Sequence, residues 1–422
     1  MAQYNFEGAI ETIAEPQLQF IHKIIVENGF ENSKVAFEMV GKPGDNFQAN
    51  VKRIKVEGEK GTLQMIAKIA STNETARQMS MTPIAFRNEQ VLYTEVFPIF
   101  EQLQRDAGIP ESEHLKYAKC YGAQLDQPHE VILLEDLKIS QFEMLDKFKP
   151  LSSDCVKHVL KNFAILHSLS YVLKHKNPEK FNALKENLVN SFELMAGNDL
   201  MKMYFMGIEN DTLSILEDPA HISCFKSKFT DAFNSGAKLS KSDTNCKYNV
   251  IQHGDPWTNN FLFKYQDGKV VDSVMVDYQQ TKNYTPVTDI LGLIFNCTDY
   301  ETRKQNFYDW IDYYHSELDQ SLANFTLKAN YIYPRDKLDA DLKRYGKLMF
   351  GLCVLMASMM SRKSEEAGKL MEGMMNLDNT NDEKLAETAQ QMSIQSGDNE
   401  VQETYKNKII GLINSFTEFG LF

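Results

Sequence analysis

The stretch "VIQHGDPWTNNFLFKY" begins at Val250 and sets Asp255 directly after a glycine, with Asn260 five residues further on. A second acid, Asp277 in "VMVDYQQ", comes after the next apolar run. Between them, "FLFKY" and "KVVDSVMVD" alternate apolar and polar residues and flank Asp267-Gly268, a strong hairpin signal. A hairpin folded about Asp267 puts Asn260 across from about Met275, and Asp277 just past the strand end on the same side. Opposed side chains lie about 5 Å apart at Cβ and diagonal ones about 7–8 Å. Asn260 and Asp277 can therefore share a metal ion, with Asp255 close by in the loop before the first strand. This is the set that phosphoryl transfer requires. Mg²⁺ takes hard oxygen ligands, here an amide, a carboxylate and phosphate. A carboxylate outside the metal's shell, Asp255, accepts the proton of the attacking hydroxyl. Singly, the three residues have plainer uses as a turn cap, a loop residue and a surface acid. Their combination across one hairpin points to catalysis. His253 reads as a brace for backbone rather than a proton carrier.

Such a site needs a second half. Lys68 in "MIAKIA" is a charge among apolar neighbours on a strand, and Glu89 and Glu95 on the next helix are both candidates to pair with it. Glu89 is preferred because it lies mid-helix. The pair would aim Lys68 at the α- and β-phosphates of ATP. "GKPGDNFQAN" offers Gly41, Gly44, Asp45 and Asn46, where glycine lets backbone N–H groups approach phosphate, although a plain hairpin turn looks the same. In "VILLEDL", backbone groups near Glu135 and Leu137 are positioned to bind adenine, with Leu134 behind.

The elements that must hold these residues follow in order. "EPQLQFIHKIIVENG" sets Leu18, Ile21, Ile24 and Ile25 on one helix face. Strands are expected over 34–40, 47–57 and 62–70, a helix from Thr82 (a possible cap) through "TPIAFRNEQVLYTEVFPIFEQLQ", and strands over 116–125 and 130–136. Helices dominate afterwards, except over 250–280. The expected architecture is α+β and two-lobed. Residues 1–136 form an N-lobe with a five-stranded antiparallel sheet and one main helix. Residues 137–422 form a helical lobe that carries the catalytic loop and the metal hairpin. The order lacks the βαβ alternation of a doubly wound sheet.

Composition narrows the class. The 422 residues are 43% apolar and 24% charged, with net charge −13. So acidic a chain is a poor partner for nucleic acid or anionic lipid. The six cysteines are scattered without a CxxC pair, which argues for reduced thiols and against a zinc site. "MAQYNFEGAIETIAE" lacks the features of a signal peptide. The run "LMFGLCVLMA" from Leu348 is about half the ~20 residues of a membrane span and reads as a buried helix. A soluble, cytoplasmic monomer acting on a small molecule is expected. The polar segment 361–408 reads as solvated helices and loops.

With these residues placed, the chain resembles the ecdysteroid kinase-like family of insects, related to choline and aminoglycoside kinases, from about residue 30 to about 360. The motifs that carry the resemblance are "GKPGDN", "IAKI", "FRNEQVLY", "LLEDL", "FAILHSLS", "HGDPWTNN", "VDYQQ" and "TPVTDILGLI". The resemblance implies a protein-kinase-like fold and phosphorylation of steroid-hormone or xenobiotic hydroxyls with ATP and Mg²⁺. It implies Asp255 as base, Asn260 and Asp277 as metal ligands, a Lys68–Glu89 pair, and Asp289 as a helix cap or loop brace. Pro256 departs from the usual aliphatic residue. An ecdysteroid leads among the substrates. A choline-type substrate would want an aromatic cage, which Trp257, Trp310 and the tyrosines could build. Xenobiotic glycosides and non-catalytic binding of nucleotide or hormone are the other readings. The Met- and aromatic-rich stripes, "LMFGLCVLMASMM" among them, read first as ordinary core, and permit an apolar pocket without indicating one.

Overall fold

The computed structural model describes residues 5–41, 50–191, 199–243, 245–362 and 393–422. Gly44, Asp45 and Asn46, and most of the polar segment 361–408, lie outside the described residues.

Alternation builds the first sheet. In β3 (Asn50–Gly58) and β4 (Gly61–Ile69), Ile54, Val56, Met65, Ala67 and Ile69 are buried on one face. With Val35 and Phe37 of β2 (Lys34–Met39) they close on Ile21, Ile24 and Ile25 of α1 (Glu15–Glu27). Each such side chain contributes about 1.5–3 kcal/mol on burial, enough to seat α1 on the sheet. Successive strand residues point to opposite faces. Turning Ile69 toward α1 therefore turns Val51, Arg53, Ile66 and Lys68 the other way, into a cavity.

The sheet has six strands, in the order β1 (Phe6–Gly8), β2, β3, β4, β6 (Val131–Glu135), β5 (Cys120–Gln124). The expected count of five missed β1, which pairs parallel with β2 through Phe6 and Val35. Three residues are too few to show a period. After α2 (Glu74–Met79) comes one helical run: α3 (Thr82–Val91), a π-helical segment Leu92–Val96, and α4 (Phe97–Asp106). Thr82 is not its cap. It is the first helical residue and buried, and Met81 precedes it in a left-handed conformation with φ 49°. The π turn offsets the faces on either side of it. Glu89 thereby faces the sheet while Tyr93 and Phe97 meet Tyr278 of the larger lobe edge to face, with ring centroids 5.8 and 4.9 Å apart.

The larger lobe runs β7 (Glu143–Met144), α5 (Ser153–Lys176), α6 (Pro178–Asn187), α7 (Asp199–Ile215), α8 (Pro219–Asp243), β8 (Val250–Gln252), β9 (Phe261–Gln266), β10 (Lys269–Met275), β11 (Lys282–Tyr284), α9 (Val287–Cys297), α10 (Tyr300–Ala323), α11 (Ala329–Ile332), α12 (Arg335–Met360) and α13 (Asn399–Glu418). Ser152 caps α5, its Oγ accepting from the Cys155 N–H at 3.3 Å. The apolar helix α9 packs against α5 and α12 at the lobe's centre. Among the described residues no helix is long and apolar enough to cross a membrane.

The β9–β10 hairpin turns at Asp267 and Gly268, with φ of 51° and 75°, the left-handed pair of a type I′ turn. Its register differs from the expectation by one residue. Phe261, not Asn260, lies across from Met275. The pairing shifts between Val270 and Asp272, where β10 accommodates an extra residue, and the bulge moves everything beyond it.

Candidate active site

The catalytic loop is suspended from one buried carboxylate. Strand β8 pairs with β11 and ends at Gln252. The backbone N–H groups of His253 and Gly254 then donate to Asp289 Oδ2 and Oδ1, at 2.7 and 2.9 Å. Asp289 also meets His167 Nε2 at 3.1 Å, and His167 Nδ1 meets the Tyr314 hydroxyl at 2.9 Å. Burial alone would raise the Asp289 carboxyl, but the His167 hydrogen bond and the nearby positive groups hold it below the usual range. Asp289 is thus a loop brace, placed in the first turn of α9.

His253 braces as well. Its Nδ1 accepts from the Asp255 N–H at 3.2 Å, so Nε2 carries the hydrogen and donates to the Val276 carbonyl at 2.9 Å. Burial lowers its pKa. The neutral ring ties the loop to the hairpin's far end. Gly254 has φ 87°, and a Cβ there would lie 2.1 Å from the Gln280 carbonyl oxygen. Gly254→Ala is expected to cost about 1–3 kcal/mol in backbone strain alone. Displacing the loop by about 1 Å is worth up to about 100-fold in rate. Thermal melting and ATP turnover measured together check this. Pro256 fits because Gly292 of α9 leaves room for it, a Cβ there meeting Pro256 Cγ at 2.3 Å. The Pro256 carbonyl accepts from Asn296 Nδ2 at 3.1 Å.

Asn260 closes the loop. Its Nδ2 donates to the Asp255 carbonyl and to Asp255 Oδ2, at 2.9 and 3.0 Å. Its own carbonyl accepts from Val276 N–H at 3.0 Å. With the amide nitrogen spent on Asp255, the amide oxygen is the atom left for a cation. Asp277 follows one residue after Val276, in a left-handed conformation with φ 67° that non-glycine residues seldom adopt. The Asp255 carboxyl is pushed up to about 7, first by burial and then by the charge of Asp277, against the Asn260 hydrogen bond and the charges of Lys282 and Lys68.

Lys68 reaches this group from the other lobe. Its Nζ lies 2.5 Å from Glu89 Oε2 and 2.6 Å from Asp277 Oδ1. Burial would lower its pKa, but Asp277 and Glu89 outweigh that and raise it. Glu89 is also held by the Tyr278 N–H at 3.4 Å. Of the two glutamates weighed for this pair, only Glu89 makes the contact. Asn88, which the sequence did not single out, fixes the helix by accepting from Val189 N–H and donating to Val189 O, both at 2.9 Å.

The donor set suits Mg²⁺. An amide oxygen and a carboxylate are hard ligands, and a nucleotide's phosphates and water complete an octahedron. Among the described residues no cluster of three or more His, Cys, Asp or Glu could hold a metal ion. Lys68, Glu89, Gly254, Asp255, Asn260 and Asp277 line one cavity of about 890 Å³. At its edge Glu135 donates its N–H to Lys119 O at 2.8 Å, and the Leu137 carbonyl accepts from Ser140 and Phe142. That leaves the Leu137 N–H and the Glu135 carbonyl as the groups to consider for a base. Arg53 and Asp136 form an ion pair at 2.5 Å beside them.

A model of the ecdysteroid kinase-like family matches residues 43–327. The chain belongs to the ecdysteroid kinase-like family. Its architecture is accordingly the two-lobed kinase-like one, and it is a small-molecule phosphotransferase. Comparison with curated proteins finds no match. Similar solved structures include a Plasmodium vivax ethanolamine kinase, 14% identical with TM-score 0.41, covering 90% of this chain and 88% of that one. Another is an aminoglycoside phosphotransferase in complex with GDP and kanamycin, 13% identical with TM-score 0.43, covering 88% and 97%. A third is the GDP complex of wild-type aminoglycoside 2'-phosphotransferase-IIIa, 11% identical with TM-score 0.39, covering 90% and 97%.

Proposed function

We propose that this family member transfers the γ-phosphoryl group of ATP to a hydroxyl of a small, largely apolar molecule, with an ecdysteroid as the leading substrate. Asp255 takes the acceptor's proton, Asn260 and Asp277 hold Mg²⁺, and Lys68, oriented by Glu89, binds the α- and β-phosphates. Adenine sits against Leu134 and uses backbone at Glu135 and Leu137. Bound Mg²⁺ would neutralise phosphate charge. A single chain carries every group named, so a monomer suffices. Six free cysteines and the need for ATP suit the cytoplasm.

The observation that carries the substrate class is the far wall of the cavity. Leu352, Leu355, Met356 and Met359 of α12 line it at helical spacing. The opposite face of the same helix, with Phe350, Cys353, Val354 and Ala357, is buried in the core. A helix apolar on both sides, with one side lining an open cavity beside Asp255, fits an apolar acceptor. The flexible methionines suit a bulky, irregular one. A choline cage has less support. Trp310 is fully buried, donates to Ser153 Oγ at 2.9 Å and does not line the cavity.

The test is a panel of ecdysone, 20-hydroxyecdysone, choline, ethanolamine and plant phenolic glycosides with Mg·ATP, read by a mass gain of one phosphate. Phosphorylation of an ecdysteroid supports the reading. Exclusive phosphorylation of choline or ethanolamine overturns it. Met356→Trp, which fills the wall, is expected to raise KM for the ecdysteroid about tenfold or more. An unchanged KM would remove α12 from the acceptor site.

A further inference from the structure

Residues 253–260, the loop that carries the base, include no lysine or arginine. Phosphoryl transfer spreads negative charge over the moving group, and a cation preset beside it lowers the barrier. Lys68 is engaged by Glu89 and Asp277 and serves the inner phosphates. The charge of a second cation acts on Asp255 more strongly than that of Lys68 does. Lys282, the first residue of β11, pairs with Gln252, three residues before Asp255. It lines the same cavity as Asp255.

Its recorded partners are neutral. Lys282 Nζ donates to the Gln280 carbonyl at 3.4 Å. In the amide orientation that satisfies Gln252 on both sides, it also donates to Gln252 Oε1 at 3.1 Å. An ammonium has three N–H groups. Among the described residues no carboxylate comes within ion-pair distance of it, although the charges of Asp289 and Asp255 act on it. Burial lowers its pKa, and those two charges only partly offset this. A half-buried ammonium without a carboxylate partner still bears part of the cost of leaving water. Such a group is explained when an anion comes to meet it.

We infer that Lys282 contacts the transferring phosphoryl group and supplies the cation that the catalytic loop lacks. In the step, the bond from the γ-phosphorus to the bridging oxygen of ADP breaks as the bond to the acceptor oxygen forms. The acceptor's proton goes to Asp255, and Lys282 keeps its own protons throughout. The inference rests on the phosphotransferase reading above.

The test compares wild type, Lys282→Met, Lys282→Arg and Asp255→Asn in the full chain. Turnover of Mg·ATP is measured with 20-hydroxyecdysone. Melting is measured without ligand, with Mg·ADP, and with Mg·ADP plus aluminium fluoride, which mimics the phosphoryl group in flight. Lys282→Met is expected to lower kcat about 10²–10³-fold. It should keep the ADP-induced melting shift, lose the further shift from aluminium fluoride, and melt unliganded no lower than wild type. Lys282→Arg should recover part of both. Lys282→Met with kcat within threefold of wild type, or with the full aluminium fluoride shift, overturns the inference. So does an unliganded melting temperature that falls in step with activity, which would make Lys282 a structural brace. If wild type itself shows neither turnover nor an ADP shift, the phosphotransferase reading falls first. If wild type turns over, Asp255→Asn does not and Lys282→Met does, Lys282 alone is wrong.

Discussion

Asp255→Asn is expected to lower kcat by about 10²–10⁴-fold, the range a positioned general base supplies. Nucleotide affinity should stay within a few-fold, because the role proposed for the replaced group is toward the acceptor and not the nucleotide. The shape of the side chain is kept, and the Asn260 amide retains its bond to the residue's own carbonyl. Stability should not suffer. The half-buried carboxyl is pushed up to about 7, first by loss of water and then by the charge of Asp277, so removing its charge relieves a cost. The decisive measurement pairs kcat with thermal melting. A kcat within threefold of wild type, in a protein that melts normally, would strip Asp255 of its role. An inactive variant that has also lost nucleotide binding would point to damage rather than chemistry.

Asp277→Asn has the second largest expected effect, and it acts on a different quantity. Removing one of two protein ligands should raise the Mg²⁺ concentration for half-maximal turnover at least about tenfold. It should lower kcat/KM for ATP by about 10²–10³-fold, since a metal's charge stabilisation is worth several kcal/mol and each ~1.4 kcal/mol is a factor of ten. The free protein should still fold, because Lys68 keeps its contact with Glu89. Asp277 is the more exposed of the two carboxylates on Lys68, at 27% against 2% for Glu89. It is therefore the one free to turn to a metal while Glu89 continues to hold the lysine. An unchanged Mg²⁺ requirement would exclude Asp277 as a ligand.

Much of this geometry was legible in the sequence where a local rule applied. The Asp267-Gly268 turn marked the hairpin, and the apolar neighbours of Lys68 on its strand argued against a solvated face for it. The failures have equally local causes. The bulge between Val270 and Asp272 moved the register by one residue, and nothing in "KVVDSV" marks which residue is extra. Strand β1 depends on β2 for its existence, so its own three residues carry no signal. The contact of Lys68 with Asp277, and the His167–Asp289 link under the loop, join residues more than a hundred positions apart. Only folding reveals them. Lys282 was passed over because a lysine beside a short strand looks like a surface charge until its surroundings are known. For "LMFGLCVLMASMM" the sequence favoured core, and the structure buries one face of α12 but sets the other along the cavity.

That double-sided helix separates two evolutionary risks. The groups proposed to act in phosphoryl transfer hang from short strands and the loops between them, whereas the proposed acceptor wall belongs to α12. An exchange among Leu352, Leu355, Met356 and Met359 can reshape what the enzyme accepts without disturbing the atoms that move phosphate. Duplicated copies of such a gene could diverge in diet while sharing one engine.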